Sequence, residues 1–332
     1  MRKETIRTSE WVRPAGSFTR VGEHSMEKIM RKNAIWAFSL TVLAATVVVG
    51  CDDADVTVGT DGLGSCTPET TLLAATEAGK LITFKSTDPG IALSSIAITG
   101  LGGAGVAGMD ARPADGAIYI LSTDAKLYTV NTASGVATRV GTSTYPQFAG
   151  VGGFNFNPVP DRIRVINQDG TENVRIVPVD IPMPLPAKFA GDIAATDTDL
   201  AYAPGDANVG LPFVLRGMAY KANVGGVTTA YVIDATQNVL ATLGGPDGAP
   251  SPNGGQLFTV GALGVDVSTD VTQQTFEVDG ANGVGYFVHE GKVRTLRQVN
   301  LVTGVSKACG GTVPVAGGAG QLSIKAMTVV LP

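Results

Sequence analysis

The chain has 332 residues, with 24 Lys plus Arg against 29 Asp plus Glu, a formal net charge of −5, 43 glycines, 18 prolines and a 44% apolar fraction. Only 16% of residues are charged, which excludes a disordered acidic chain, and the missing Gly-X-Y period excludes collagen. With no basic excess to release counterions from phosphates, the composition also argues against nucleic acid as a partner.

The first recognisable element is a secretory signal. Arg31 and Lys32 precede an uncharged run from Ala34 to Gly50, which ends at Cys51. Basic flank, short apolar stretch and small-residue end are the three parts of a signal peptide. Val48-Val49-Gly50-Cys51 resembles the bacterial lipobox, in which cleavage leaves a lipid-bearing cysteine at the new N-terminus. Residues 1–25 are too long and too mixed in charge for the basic segment, so the expected start is Met26 or Met30. The domain plan is therefore a signal segment over 1–50, a lipid-anchored tether over 51–65 and a folded domain over 66–332. The implied address is the cell envelope, with the protein held on a membrane and facing the periplasm or exterior.

Removing 1–50 takes away 8 basic and 4 acidic residues, which leaves 16 against 25 and a net charge of −9. Three cysteines remain, Cys51, Cys66 and Cys309. With Cys51 lipidated, Cys66 and Cys309 form an even pair in an oxidising compartment, where a disulfide is expected.

From Cys66 onward, apolar stretches of four to seven residues rich in Val, Ile, Thr, Tyr and Phe alternate with Gly, Asp, Asn and Pro clusters. That pattern is all-β. The segments 107–141 (AGMDARPADGAIYILSTDAKLYTVNTASGVATRVG) and 276–310 (FEVDGANGVGYFVHEGKVRTLRQVNLVTGVSKACG) repeat one plan, and their turns Asn131–Gly135 and Asn300–Gly304 align. Each unit holds four short strands, which is the content of a propeller blade. Further units begin near 151 and 214. Residues 71–100 read as three outer strands lacking an inner one, and Ile324 to Leu331 as an inner strand without successors. Joined, they complete a blade. The expected fold is a β-propeller of about five four-stranded blades, closed by pairing of the C-terminal strand with the first blade. A β-sandwich with two long meanders is the competing architecture.

The run Asn155-Phe-Asn157-Pro158-Val-Pro-Asp161-Arg162-Ile-Arg164-Val165, with Gly108-Met-Asp110, Pro113, Gly116, Tyr119 and Asn173-Val-Arg175, resembles the bacterial "domain of unknown function 4394" family. Asp199-Leu-Ala-Tyr202, Gly205-Asp206-x-Asn208 and Gly261-Ala-Leu-Gly-Val-Asp266 extend the resemblance over about 71–331. It implies a secreted or surface-exposed propeller-like domain and no catalytic residues. The Cys66/Cys309 pair departs from the family pattern.

Asn155, Asn157, Asp161, Arg162, Arg164, Asn173 and Arg175 are the main candidates for ligand binding. On a strand, Arg162 and Arg164 share one face while Ile163 and Val165 share the other, so the cluster reads as a pocket for an anion or polyol. The competing reading has Asn157 and Asp161 capping a turn while the arginines pair across strands. Asp197, Asp199, Asp206 and Asn208 offer oxygen ligands of the kind calcium takes, although their spacing is not that of an EF-hand loop. Gly100–Gly105 matches G-x-G-x-x-G, but a strand follows where dinucleotide binding needs a helix. His289 is the one histidine beyond the signal, and no G-x-S-x-G elbow accompanies it.

The resulting expectation is a non-enzymatic, lipid-anchored propeller that binds a protein or extracellular ligand, without a resident cofactor. A metal-dependent hydrolase or lactonase-like propeller is the first alternative and a purely structural surface protein the second. Convergence of Asp110, Asn155 and Asp266 on one axial point favours the hydrolase.

Overall fold

The short strands arise because Gly, Asp and Asn punctuate the chain every few residues, and the intervening Val, Ile, Tyr and Phe suit a pleated, packed surface. The computed structural model describes residues 66–148, 150–182, 187–270, 275–291, 294–310 and 323–331. The signal segment and the tether, including Cys51, lie outside the described residues. The described strands form five sheets.

The first sheet joins β1 (Thr71–Thr76), β2 (Lys80–Lys85) and β3 (Asp88–Ala97) to the C-terminal β21 (Ile324–Val329), in the order β21-β1-β2-β3. The second is β4 (Val106–Ala111), β5 (Ile118–Ser122), β6 (Leu127–Val130) and β7 (Ala137–Arg139). The third is β8 (Val151–Asn157), β9 (Arg162–Asn167), β10 (Asn173–Ile176) and β11 (Ile193–Thr196). The fourth is β13 (Leu215–Asn223), β14 (Val227–Asp234), β15 (Val239–Leu243) and β16 (Gln256–Ala262), with the two-residue β12 (Ala201–Tyr202) added outside β16. The fifth is β17 (Glu277–Asp279), β18 (Val284–His289), β19 (Thr295–Val299) and β20 (Ser306–Ala308).

These are the five antiparallel blades of a β-propeller. The innermost strands touch in the cyclic order β21, β4, β8, β13, β17 and back to β21. β21 pairs antiparallel with β1, Leu73 opposite Thr328. The wheel is thus fastened by the two ends of the domain, which removes the free sheet edges an open array would leave. β12 was not expected from the sequence. It pairs in parallel with β16, Tyr202 opposite Leu257, and covers the rim of the fourth blade.

Between each pair of neighbouring blades lies one apolar layer. Phe84, Tyr286 and Met327 fill the layer between the fifth and first blades, Met109 and Ile120 the next, then Phe154 and Ile163, then Met218 and Val232, then Phe276 and Phe287. A blade buried on both faces needs apolar residues at consecutive positions, so β5 and β15 are buried along their whole length and show no alternation. The repeated turns also match: Asn131 and Asn300 each accept two backbone N–H groups through Oδ1, and Gly135 and Gly304 close them at positive φ. Cys66 and Cys309 form a disulfide across a separation of 243 residues, just before β1 and just after β20. It therefore staples the closing blade to its neighbour.

Candidate functional site

Four inner strands share a short pattern, a residue no larger than Thr, then Met or Phe, then a polar residue: Gly108-Met109-Asp110, Gly153-Phe154-Asn155, Thr275-Phe276-Glu277 and Ala326-Met327-Thr328; Gly217-Met218-Ala219 follows it with an apolar third residue. The small residue is a packing requirement. A Cβ on Gly108 would stand 2.6 Å from Phe154 Cβ, and one on Gly153 would stand 2.5 Å from Met218 Cβ. The absent side chain lets the next inner strand come close.

Four of the axial residues make one buried network. Asp110 Oδ1 accepts from the Ala111 N–H at 2.7 Å and the Thr328 hydroxyl at 2.8 Å, and Oδ2 accepts from the Phe156 N–H at 2.7 Å. Glu277 accepts from the Val278 N–H at 2.8 Å and the Asn155 amide at 3.1 Å, while Asn155 Oδ1 takes the Tyr220 N–H at 2.8 Å. Asp110 and Glu277 are themselves hydrogen-bonded. Burial pushes Asp110 up to about 6, and burial followed by the neighbouring Asp110 charge holds Glu277 well above the usual carboxylate range. Two carboxylates in contact away from water cannot both ionise cheaply, and the donors crowding Asp110 select it as the charged member. Glu277 keeps the shared proton and donates it to Asp110. The network floors an axial cavity of about 130 Å³ walled by Pro113, Phe156, Pro158 and Val278.

Asp110 and Asn155 thus converge as the hydrolase alternative required, but Asp266 does not. It is exposed in a turn and accepts the Ser268 N–H at 2.9 Å. Glu277 completes the ring in its place. The sequence reading missed Glu277, and the small-Met/Phe-polar pattern was the signal that identifies it.

A second polar constellation runs radially across the third blade. Asn155, Arg164 and Arg175 stand directly opposite one another on β8, β9 and β10 and so share the face turned to the fourth blade. Ile163 and Val165 pack on the other face, as the alternation predicts. Arg164 is 2% exposed. Its Nε donates to the Tyr220 hydroxyl at 2.6 Å, Nη1 to Asp197 at 2.9 Å and to Asn173, and Nη2 to Asn253 Oδ1 at 2.6 Å. Arg175 forks onto the same Asp197, Nε to Oδ2 at 2.9 Å and Nη2 to Oδ1 at 2.8 Å. Two guanidiniums therefore share one carboxylate.

This row opens into a cleft of about 300 Å³ between the third and fourth blades. Asn157, Arg162, Arg164 and Arg175 line it from the third blade, and Tyr220, Thr228, Asp247, Ser251 and Asn253 from the fourth. Four of the seven candidate ligand residues therefore face one cavity. Asn173 is fully buried behind Arg164, and Asn155 belongs to the axial network. Asp161 instead accepts from Arg112 of the second blade, Nε to Oδ1 at 3.0 Å, and clamps two blades together.

The four candidate calcium ligands are dispersed. Both Asp197 oxygens are taken by arginines, and Asp199 is exposed. Asp206 accepts from the Thr259 N–H and hydroxyl, each at 2.7 Å, and Asn208 donates to the same hydroxyl at 2.9 Å. Among the described residues no three His, Cys, Asp or Glu side chains lie together as metal ligands. His289 ends β18 at a turn, with Nδ1 2.9 Å from Asp270 Oδ2.

The family model described as Domain of unknown function (DUF4394) matches residues 80–318. No curated protein matches the chain. Among solved structures, a chain of the nidogen/laminin complex is similar at 12% identity and TM-score 0.44, covering 79% of this chain and 98% of that one. Glutaminyl cyclase of Myxococcus xanthus is similar at 15% identity and TM-score 0.43, covering 70% and 84%. An auxiliary nutrient binding protein of Bacteroides ovatus is similar at 12% identity and TM-score 0.40, covering 65% and 55%. At such identities and TM-scores these likenesses carry no functional argument.

Proposed function

The chain belongs to the DUF4394 family, and we propose that it is a lipid-anchored, extracytoplasmic binding propeller whose ligand enters the cleft between the third and fourth blades through an anionic group. One observation carries the reading: Arg164 and Arg175 share the single carboxylate of Asp197 at the wall of that cleft. Counting Arg162 and Asp247, the lining and its partner hold three positive charges against two negative. An excess cation in a partly desolvated cleft is costly unless an anion offsets it. The positive patch sits on a chain whose net charge beyond the signal is −9, so the local sign is opposite to that of the molecule.

A hydrolase would act at the axis. There the oxygens of Asp110 are already occupied by protein donors, and the network reads as a clasp between blades rather than as an open ligand set. Anchoring through Cys51 accounts for the signal and the lipobox-like end, and the disulfide fits an oxidising compartment. Among the described residues no helix is long and apolar enough to cross a membrane.

Two measurements test the proposal. Acetate, sulfate or phosphate should raise the melting temperature of the full chain saturably at constant ionic strength, and Arg162→Ala should weaken that response. Indifference of the protein to all three anions refutes anion binding. Cys51→Ser should abolish palmitate labelling and membrane association, and unchanged labelling refutes the anchor.

A further inference from the structure

We infer, resting on the anion-binding reading above, that the cleft takes a polyhydroxylated monocarboxylate, a sugar acid of the hexuronate class. The charge balance selects a monoanion. Arg162, Arg164 and Arg175 exceed Asp197 and Asp247 by one positive charge, which one carboxylate neutralises and a multiply charged anion overshoots.

The directions of the remaining hydrogen-bonding groups select the rest of the ligand. Arg162 spends only Nη1, on the turn carbonyls of Pro160 and Asp161. Its Nε and Nη2, and Nη1 of Arg175, have no partner among the described residues. These are planar donors of the kind that fork onto a carboxylate. From the fourth-blade side, Asp247 receives the Asn223 amide on Oδ1 at 2.7 Å and has no partner on Oδ2 among the described residues, so it offers an acceptor. Asn253 takes Arg164 on Oδ1, which turns its amide Nδ2 toward use as a donor. Asn157 likewise accepts the Val159 N–H on Oδ1 at 3.1 Å. An acceptor and two amide donors set beside a guanidinium fork match hydroxyls, each of which both donates and accepts. A bare carboxylate leaves Asp247 and both amides unserved, and a neutral sugar leaves the excess cation. The volume, about 300 Å³, is at the small end of ligand pockets and suits one ring rather than an oligomer.

The test is isothermal titration of the full chain with sodium glucuronate, galacturonate and gluconate, against glucose, acetate, inorganic phosphate and glutamate. At least one sugar acid should bind ten-fold or more tightly than acetate and than glucose. Arg162→Ala should weaken it by about 10–100-fold, the range for a hydrogen bond to a charged group. Asp247→Asn removes a negative charge and so should tighten acetate, while the sugar acid, which also loses its hydroxyl acceptor, should weaken relative to acetate. Both substitutions lie at the cleft wall, and the melting temperatures of the unliganded variants check that they fold. If acetate or phosphate binds as tightly as every sugar acid and Asp247→Asn tightens all of them alike, the sugar-acid assignment falls while anion binding stands. Tighter binding of glutamate overturns the assignment in favour of an amino acid. Failure of every anion to bind overturns both readings.

Discussion

Replacing Glu277 by Gln should flatten the dependence of stability on pH. In the native chain Glu277 retains a proton that it loses in the unfolded chain near pH 4.3. A carboxyl whose folded pKa is raised stabilises fully below its unfolded pKa, and that contribution is lost as pH rises toward the folded value. Over each pH unit in which the unfolded residue is ionised and the native one is not, the loss is about 1.4 kcal/mol. Asp110, raised to about 6 by burial, adds its own loss, but it is present in both proteins and so drops out of the difference between them. Gln keeps the size and the donor to Asp110 but offers one acceptor where Glu277 uses two, Oε1 for the Val278 N–H and Oε2 for the Asn155 amide, so it lowers stability by a constant amount at every pH without changing the slope. It carries no proton to lose. Thermal unfolding followed by circular dichroism, in steps of one unit from about pH 4.5 upward, should show the wild-type melting temperature falling relative to Glu277→Gln by about 2–4 °C for each 1 kcal/mol lost. Because the two proteins differ at this one residue, the difference between the curves is the readout. Parallel curves would refute a shared proton at the axis.

Two further outcomes test the closure of the wheel. The Cys66→Ser, Cys309→Ser double variant should lose about 2–5 kcal/mol in urea unfolding, since the bridge closes nearly the whole domain; a loss below about 0.5 kcal/mol shows that the staple is dispensable. Gly153→Ala should cost about 1–3 kcal/mol by overpacking, because the new Cβ meets Met218 Cβ at 2.5 Å. No loss in the same assay means that the third and fourth inner strands are not held at that separation.

Asn131–Gly135 and Asn300–Gly304 show why much of the architecture was legible. Each turn is made by residues within five positions, with an Asn side chain capping and a Gly at positive φ, so its repetition along the chain exposes the blade as a unit. The unpaired ends, 71–100 and 324–331, carry the closure in the same way, since three strands without an inner one need the missing partner. β12 was not legible: two residues with a parallel partner more than fifty positions away leave no periodic trace. The arginine row was half legible. Strand alternation puts Arg162 and Arg164 on one face, yet nothing local distinguishes Asp161, which turns to Arg112 on the second blade, from Arg175, which turns to the cleft.

The sequence by itself determined the elements whose causes are local or repeated: turns, short strands, blade count and the Cys66–Cys309 pair. Only the tertiary structure decided which polar groups meet. Asp110 and Glu277 are 167 positions apart, in two units that repeat one plan, and nothing in that repetition says that their carboxyls meet. Their contact, and the proton it traps, exist because the ring closes and shuts water out, and closure depends on all five apolar layers at once rather than on any one stretch of chain.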